Sequence, residues 1–126
     1  MKHTLLSAGV LLLCLIFSLI SMQQILDVCD RTSQLLEQTQ AAIVREDFSA
    51  AESALDRAED TWKAKEGFLG VVLSHEDVDE VLTGFSELRQ YIQVGDLDDC
   101  RAVCARLITS VHHLQEMERL TVSNIL

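Results

Sequence analysis

The sequence predicts an all-α protein: an N-terminal transmembrane helix followed by an antiparallel bundle of about four helices, arranged as two helical hairpins. Three observations predict it. The run Leu5–Met22, LLSAGVLLLCLIFSLISM, has no charged residue in a chain that otherwise carries a net charge of −10. There is no proline, and five glycines serve 126 residues, a composition that suits helices. No segment keeps the two-residue alternation of a strand, and one tryptophan, one tyrosine and four phenylalanines are few aromatics for a sandwich or barrel.

At ~1.5 Å per helical residue the apolar run spans about 27 Å, close to the ~30 Å of hydrocarbon that a spanning helix must match. Residues 1–23 therefore read as a transmembrane signal anchor and 24–126 as one helical bundle domain. A cleaved signal peptide is the rival reading, since Lys2 also precedes the run. Signal-peptide cores are about 7 to 15 residues long and end in small residues at alternate positions. This core is longer, and neither Leu19 with Ser21 nor Ser18 with Ile20 presents two small side chains. A lipoprotein cut at Cys14 is disfavoured by the three leucines before it.

Flanking charge sets the orientation. Lys2 lies on one side, while Asp27 and Asp30 come before the first basic residue, Arg31, on the other. Positive charge stays inside, so the expected location is the cell membrane, single-pass, with a cytoplasmic N-terminus and an extracytoplasmic C-terminal domain. Beyond residue 22 the chain holds all 20 acidic residues and nine of the ten basic ones, a formal charge of −11. That charge argues against nucleic acid as a partner and against lying on an anionic bilayer, since both attract basic patches. Most of the carboxylates read as solvated helix faces.

The stripes follow in order. Ile25, Val28, Leu35 and Ala42, with Thr32 and Thr39 between them and Leu36 and Ile43 beside them, mark one face of a first helix that continues out of the bilayer as one rod, with Gln23 and Gln24 the place for any bend. Asp47 caps a second, with Ser49 three residues before Glu52. Its stripe is Phe48, Ala51, Leu55, Ala58, Trp62, Leu69 and Val72. Lys65 is the one polar intruder, either laid along the stripe with its ammonium in water or marking a loosening at Gly67 and Gly70. Ser74 caps the third helix, whose first turns carry Asp77, Asp79 and Glu80 and whose core is Val78, Val81, Phe85, Leu88 and Ile92, with Leu82. Gly95 ends it in a left-handed conformation, and Asp96 caps the fourth. The fourth stripe is Leu97, Cys100, Cys104, Leu107, Val111, Leu114 and Met117, continuing to Leu120 or beyond. Asp47-Phe48-Ser49-Ala50-Ala51 resembles Asp96-Leu97-Asp98-Asp99-Cys100, and shared turn geometry accounts for it better than duplication does.

Two clusters invite chemistry. Cys100 and Cys104 stand near His112 and His113 in sequence, but at ~100° per residue His112 lies about 120° around the helix from Cys104, while the thiols share the apolar stripe. Cys29 faces Cys100 or Cys104 if the first and last helices are neighbours, so a disulfide stays open. His75-Glu76-Asp77-Val78-Asp79-Glu80 offers a histidine beside carboxylates, yet it lacks the alternating oxygens and glycine of a calcium loop and reads as a helix start. There is no phosphate loop, no HExxH and no nucleophile elbow. No catalytic residue, cofactor or metal is expected.

Trp62, Lys65, the pair His75-Glu76 opening a helix with Val78, the Gly95-Asp96 turn and the closing Asn124-Ile125-Leu126 resemble a family of short single-span bacterial membrane proteins of unknown function, mainly from spore-forming Gram-positive bacteria. The resemblance covers nearly the whole chain and implies an N-terminal anchor, a helical domain and no assigned reaction. It singles out Trp62, His75, Glu76 and Asn124. Structural roles for them are a core aromatic, a helix start and a C-terminal cap. The expected function is a non-catalytic interaction module binding another membrane or envelope protein, with an extracytoplasmic small-ligand-sensing bundle as the alternative. An enzyme using His75 with Glu76 or Glu118 is the least favoured class.

Overall fold

A computed structural model describes residues 1–125, the side chains of Val122 and Ile125 excepted. Leu126, the last residue of the family pattern, lies outside the described residues. The described chain is helical throughout: α1 (Lys2–Val44), α2 (Phe48–Lys63), α3 (Glu66–Val72), α4 (His75–Val94) and α5 (Leu97–Ile125).

α1 is one 43-residue helix. Its N-terminal half is apolar and exposed, and it is long and apolar enough to cross a membrane, a test that an anchor and a signal sequence both pass. Its C-terminal half is a bundle helix with Ile25, Val28, Cys29, Thr32, Leu36, Thr39 and Ile43 in the interior. The face is rotated slightly from the sequence stripe, since Leu36 is buried and Leu35 only half so.

α1 packs against α2 and α5, and α4 against α5 and α2, so four long helices form a closed ring of neighbours with short α3 beneath α2 and α4. Trp62, Phe85, Leu55, Leu88, Leu107 and Val111 fill the space between them. Short turns make α1 and α2, and α4 and α5, antiparallel neighbours, while α3 carries the chain from the end of α2 to the start of α4. The two turns at the far end are the same device. At Glu46 and at Gly95 the chain takes a positive φ, 59° and 78°. Asp47 N–H then donates to the Ala42 carbonyl (2.9 Å), and Asp96 N–H to the Tyr91 carbonyl (3.2 Å), the paired bonds of a helix end closed by a left-handed residue. Each aspartate caps the next helix, Asp47 Oδ1 accepting from Ala50 N–H (3.1 Å) and Asp96 Oδ1 from Asp99 N–H (3.2 Å). Ser74 caps α4, its hydroxyl accepting from Asp77 N–H at 3.2 Å.

Three expectations need correction. The predicted second helix is two helices: α2 ends at Lys63, and Lys65, exposed and with φ −113°, starts α3. The break precedes Gly67 and Gly70, which sit inside α3, so Lys65 neither lies along a stripe nor is followed by a loosened helix. Val72 is 41% exposed and outside the core, unlike Leu69. Met117 and Leu120 are 46% and 62% exposed. The Arg106–Glu87 and Ser110–Glu80 contacts set an α4–α5 register in which Met117 meets the start of α4, so beyond it α5 has lost one neighbour.

Candidate functional site

The four singled-out residues do not form one site. Trp62 is wholly buried. Arg57 Nη2 donates to Gln38 Oε1 across the α1–α2 pair (3.4 Å), and five residues on along α2 and five back along α1 Trp62 reaches the level of Ser33. Trp62 Nε1, Ser33 Oγ and Thr32 Oγ1 are all buried without a hydrogen-bond partner. His75 and Glu76 are exposed in the first turn of α4, and Asn124 is exposed within the last turn of α5. α5 continues to Ile125, so Asn124 is not its cap.

The polar network with the strongest geometry was not legible in the sequence. Arg89 on α4 reaches back to α2, donating to Glu59 Oε2 (2.9 Å) and to Asp56, while Lys63 stands 3.1 Å from Glu59. Burial pushes the Glu59 carboxyl up, but the hydrogen bonds from Arg89 and Lys63 outweigh it and hold the carboxyl below its usual range. This cluster ties α2 to α4. Its acceptors are occupied by the protein's own cations, so it is a structural clamp.

A groove of about 320 Å³ runs between α4 and α5, lined by Asp77, Glu80, Arg106, Ser110 and His113 among others. Ser110 donates to Glu80 at 3.3 Å there. Among the described residues no group of three or more His, Cys, Asp and Glu is arranged to hold a metal ion. His112 and His113 are exposed, whereas Cys29, Cys100 and Cys104 are buried free thiols. Cys104 donates its S–H toward the Leu36 carbonyl (3.6 Å), seven residues or about 10 Å of helical rise from Cys29, out of reach of a disulfide between them.

That same contact sets the α1–α5 register and brings the end of α5 to the apolar run. Counting 14 to 17 residues on from Cys104 and back from Leu36 brings Glu118 and Thr121 to the level of Met22 and Leu19. A second groove, about 360 Å³, lies there, lined by Phe17, Ser18, Ser21 and Met22 of α1, Val72 of α3, and Glu118 and Thr121 of α5. Burial pushes the pKa of Glu118 up. The α3–α4 turn, Leu73–Ser74, and the first turn of α4 with His75 and Glu76 come down to the same end.

The model of a family described as a domain of unknown function, DUF4363, matches residues 19–125. The chain belongs to this family. The match begins inside the apolar run, so the family domain includes Leu19–Met22, of which Ser21 and Met22 line the groove with Glu118 and Thr121 of α5. The family carries no assigned reaction. No curated protein and no solved structure matches the chain significantly.

Proposed function

We propose that the chain is a single-pass membrane protein whose helical bundle is a non-catalytic module binding another membrane or envelope protein, with the N-terminus cytoplasmic and the bundle outside. One observation carries the anchor: α1 passes without a break from the exposed apolar run into the core. Ser21 and Met22 are half-buried and Ile25 is wholly buried. A cut near Met22 would strip the bundle of the half-buried turn Ser21–Met22 that leads into its core. Retention of the helix keeps the bundle at the bilayer, where a membrane partner is the accessible one. The acidic bundle of formal charge −11 suits a partner with a basic face.

The second reading is small-ligand sensing, favoured by the groove between α4 and α5 with its mixed lining of Asp77, Glu80, Arg106 and His113. Crosslinking in native membranes followed by mass spectrometry separates the two. One reproducible membrane-protein partner supports the interaction module. Co-purification of a metabolite that Glu80→Gln and Arg106→Ala release favours sensing. An intact mass beginning after Met22 overturns the anchor.

A further inference from the structure

The bundle and the span overlap. Phe17, Ser18, Ser21 and Met22 belong to the apolar run, and the same residues form one groove with Val72, Glu118 and Thr121 of the bundle. If the bundle stood wholly in water, the span would be reduced to Leu5–Ile16, about 18 Å of helix against ~30 Å of hydrocarbon. Seating the base of the bundle in the bilayer surface makes up the missing length without the cost of thinning the bilayer.

The side chains at that base suit such a seat. Val71 is 85% exposed, Val72 41%, Met117 46% and Leu120 62%, and all four belong to the end where α3 and α5 flank the run. α3, EGFLGVV, carries a single charged residue, and its Val71 is left almost wholly uncovered by the other helices. Thr121, exposed there, satisfies its hydroxyl within the helix by donating to the Met117 carbonyl (3.0 Å). The half-buried Glu118 carboxyl, pushed up by burial, loses its charge more readily than an ordinary glutamate. Glu66, Glu76 and Glu116 are exposed around the patch together with Lys65 and Arg119, the last paired with Glu116, so the rim is of mixed charge with a slight acidic excess and the matching surface is lipid without net charge, anionic headgroups gaining nothing from it.

Resting on the anchor reading, we infer that the base of the bundle, Val71 and Val72 of α3 with Met117 and Leu120 of α5, is a lipid-binding surface seated in the outer layer of the bilayer that α1 crosses. The domain then stands upright on the membrane and does not swing on a tether. Its far end, with the Glu46 and Gly95 turns, is held about one bundle length from the surface. A partner is met at a fixed height.

The test uses the full chain with Cys14→Ala in phosphatidylcholine bilayers. Cys29, Cys100 and Cys104 are buried and stay unlabelled. Nitroxide labels are placed by Val71→Cys or Leu120→Cys at the base, Val44→Cys or Val94→Cys at the far end, and Leu13→Cys in the span. Collision with oxygen is compared with collision with a water-soluble nickel complex. The expected result is oxygen-dominated relaxation at 13, 71 and 120 and nickel-dominated relaxation at 44 and 94. Nickel-dominated relaxation at 71 and 120 with position 13 still in lipid overturns the inference and leaves the anchor standing. Nickel-dominated relaxation at 13 overturns both. Dipolar broadening between labels at 71 or 120 of two copies assigns the surface to a second chain and overturns the lipid assignment.

Discussion

Gly84 of α4 and Leu107 of α5 pack so closely that a methyl group on the Gly84 Cα would stand 2.6 Å from Leu107 Cδ1. Leu107 is 2% exposed and hemmed in by the core, so it has little room to turn aside. Glycine inside a helix normally costs about 1 kcal/mol relative to alanine, and overpacking costs typically 1–3 kcal/mol. Gly84→Ala is expected to lose about 1 kcal/mol of stability despite its better helix propensity, and Gly84→Val more. Leu107→Ala, destabilising on its own, is expected to cancel the penalty of Gly84→Ala in a double-mutant cycle. Chemical unfolding followed by circular dichroism in detergent checks it, and a Gly84→Ala protein more stable than the parent removes the steric argument.

Glu46 and Gly95 occupy the same left-handed position in equivalent turns, with very different side chains. A side chain in that conformation costs roughly 1–2 kcal/mol. Glu46→Gly is therefore expected to stabilise the protein by about 1 kcal/mol, and Gly95→Ala to destabilise it by a similar amount. Opposite shifts in unfolding midpoint are the readout. Equal shifts of one sign would mean that the two turns are not equivalent.

Trp62 fills the interior with an indole N–H that has no partner among the described protein atoms. Trp62→Ala is expected to cost about 3–5 kcal/mol. Trp62→Phe is expected to cost much less, because it removes the unpaired donor along with some volume. Thr32→Val, which removes a buried unpaired hydroxyl at nearly constant shape, is expected to be neutral or stabilising. The emission of Trp62, the one tryptophan, reports directly: a water-like maximum in the folded protein contradicts its burial.

Two core thiols give the protein an alkaline limit. Burial, with a smaller contribution from Glu118, pushes the Cys29 thiol from 9.0 to about 12. Burial, with Cys100, takes Cys104 equally far. The folded state thus holds these protons more tightly than the unfolded chain. Their stabilising contribution is complete below pH about 9 and is lost as pH rises toward 12. Unfolding midpoints are expected to fall across that window in the parent, with a shallower fall in a Cys29→Ala, Cys104→Ala variant. In the folded protein at neutral pH, alkylating reagents are expected to leave both thiols unmodified.

Local rules were legible wherever one residue does one job. Asp47, Ser74 and Asp96 were readable as caps because a short side-chain acceptor before an apolar stripe has few other uses, and Gly95 as a stop because it alone accepts a positive φ without strain. Glu46 was not, since nothing in a glutamate signals that conformation; its turn is imposed by the helices on either side. Lys65 misled for a related reason. The stripe on both sides of it keeps helical spacing, and only the need of α3 to turn under the bundle ends α2 at Lys63. The candidate positions fared similarly: Trp62 was legible as core from its stripe, whereas Arg89 gave no sign that it would join Asp56 and Glu59 across 30 residues or more of chain.

By itself the sequence determined the helical class, the four long amphipathic elements, the apolar N-terminal run and the inward thiols, because each follows from composition or from a period within one helix. The tertiary structure alone decided how far each helix slides along its neighbour. That register comes from interlocking side chains such as Gly84 with Leu107 and Cys104 with Leu36, which no single-helix pattern encodes. It lays the last turns of α5 beside Phe17–Met22 and exposes Val71, Met117 and Leu120 there, and so the boundary between apolar run and bundle, drawn at residue 23 from hydropathy, falls inside a segment that belongs to both.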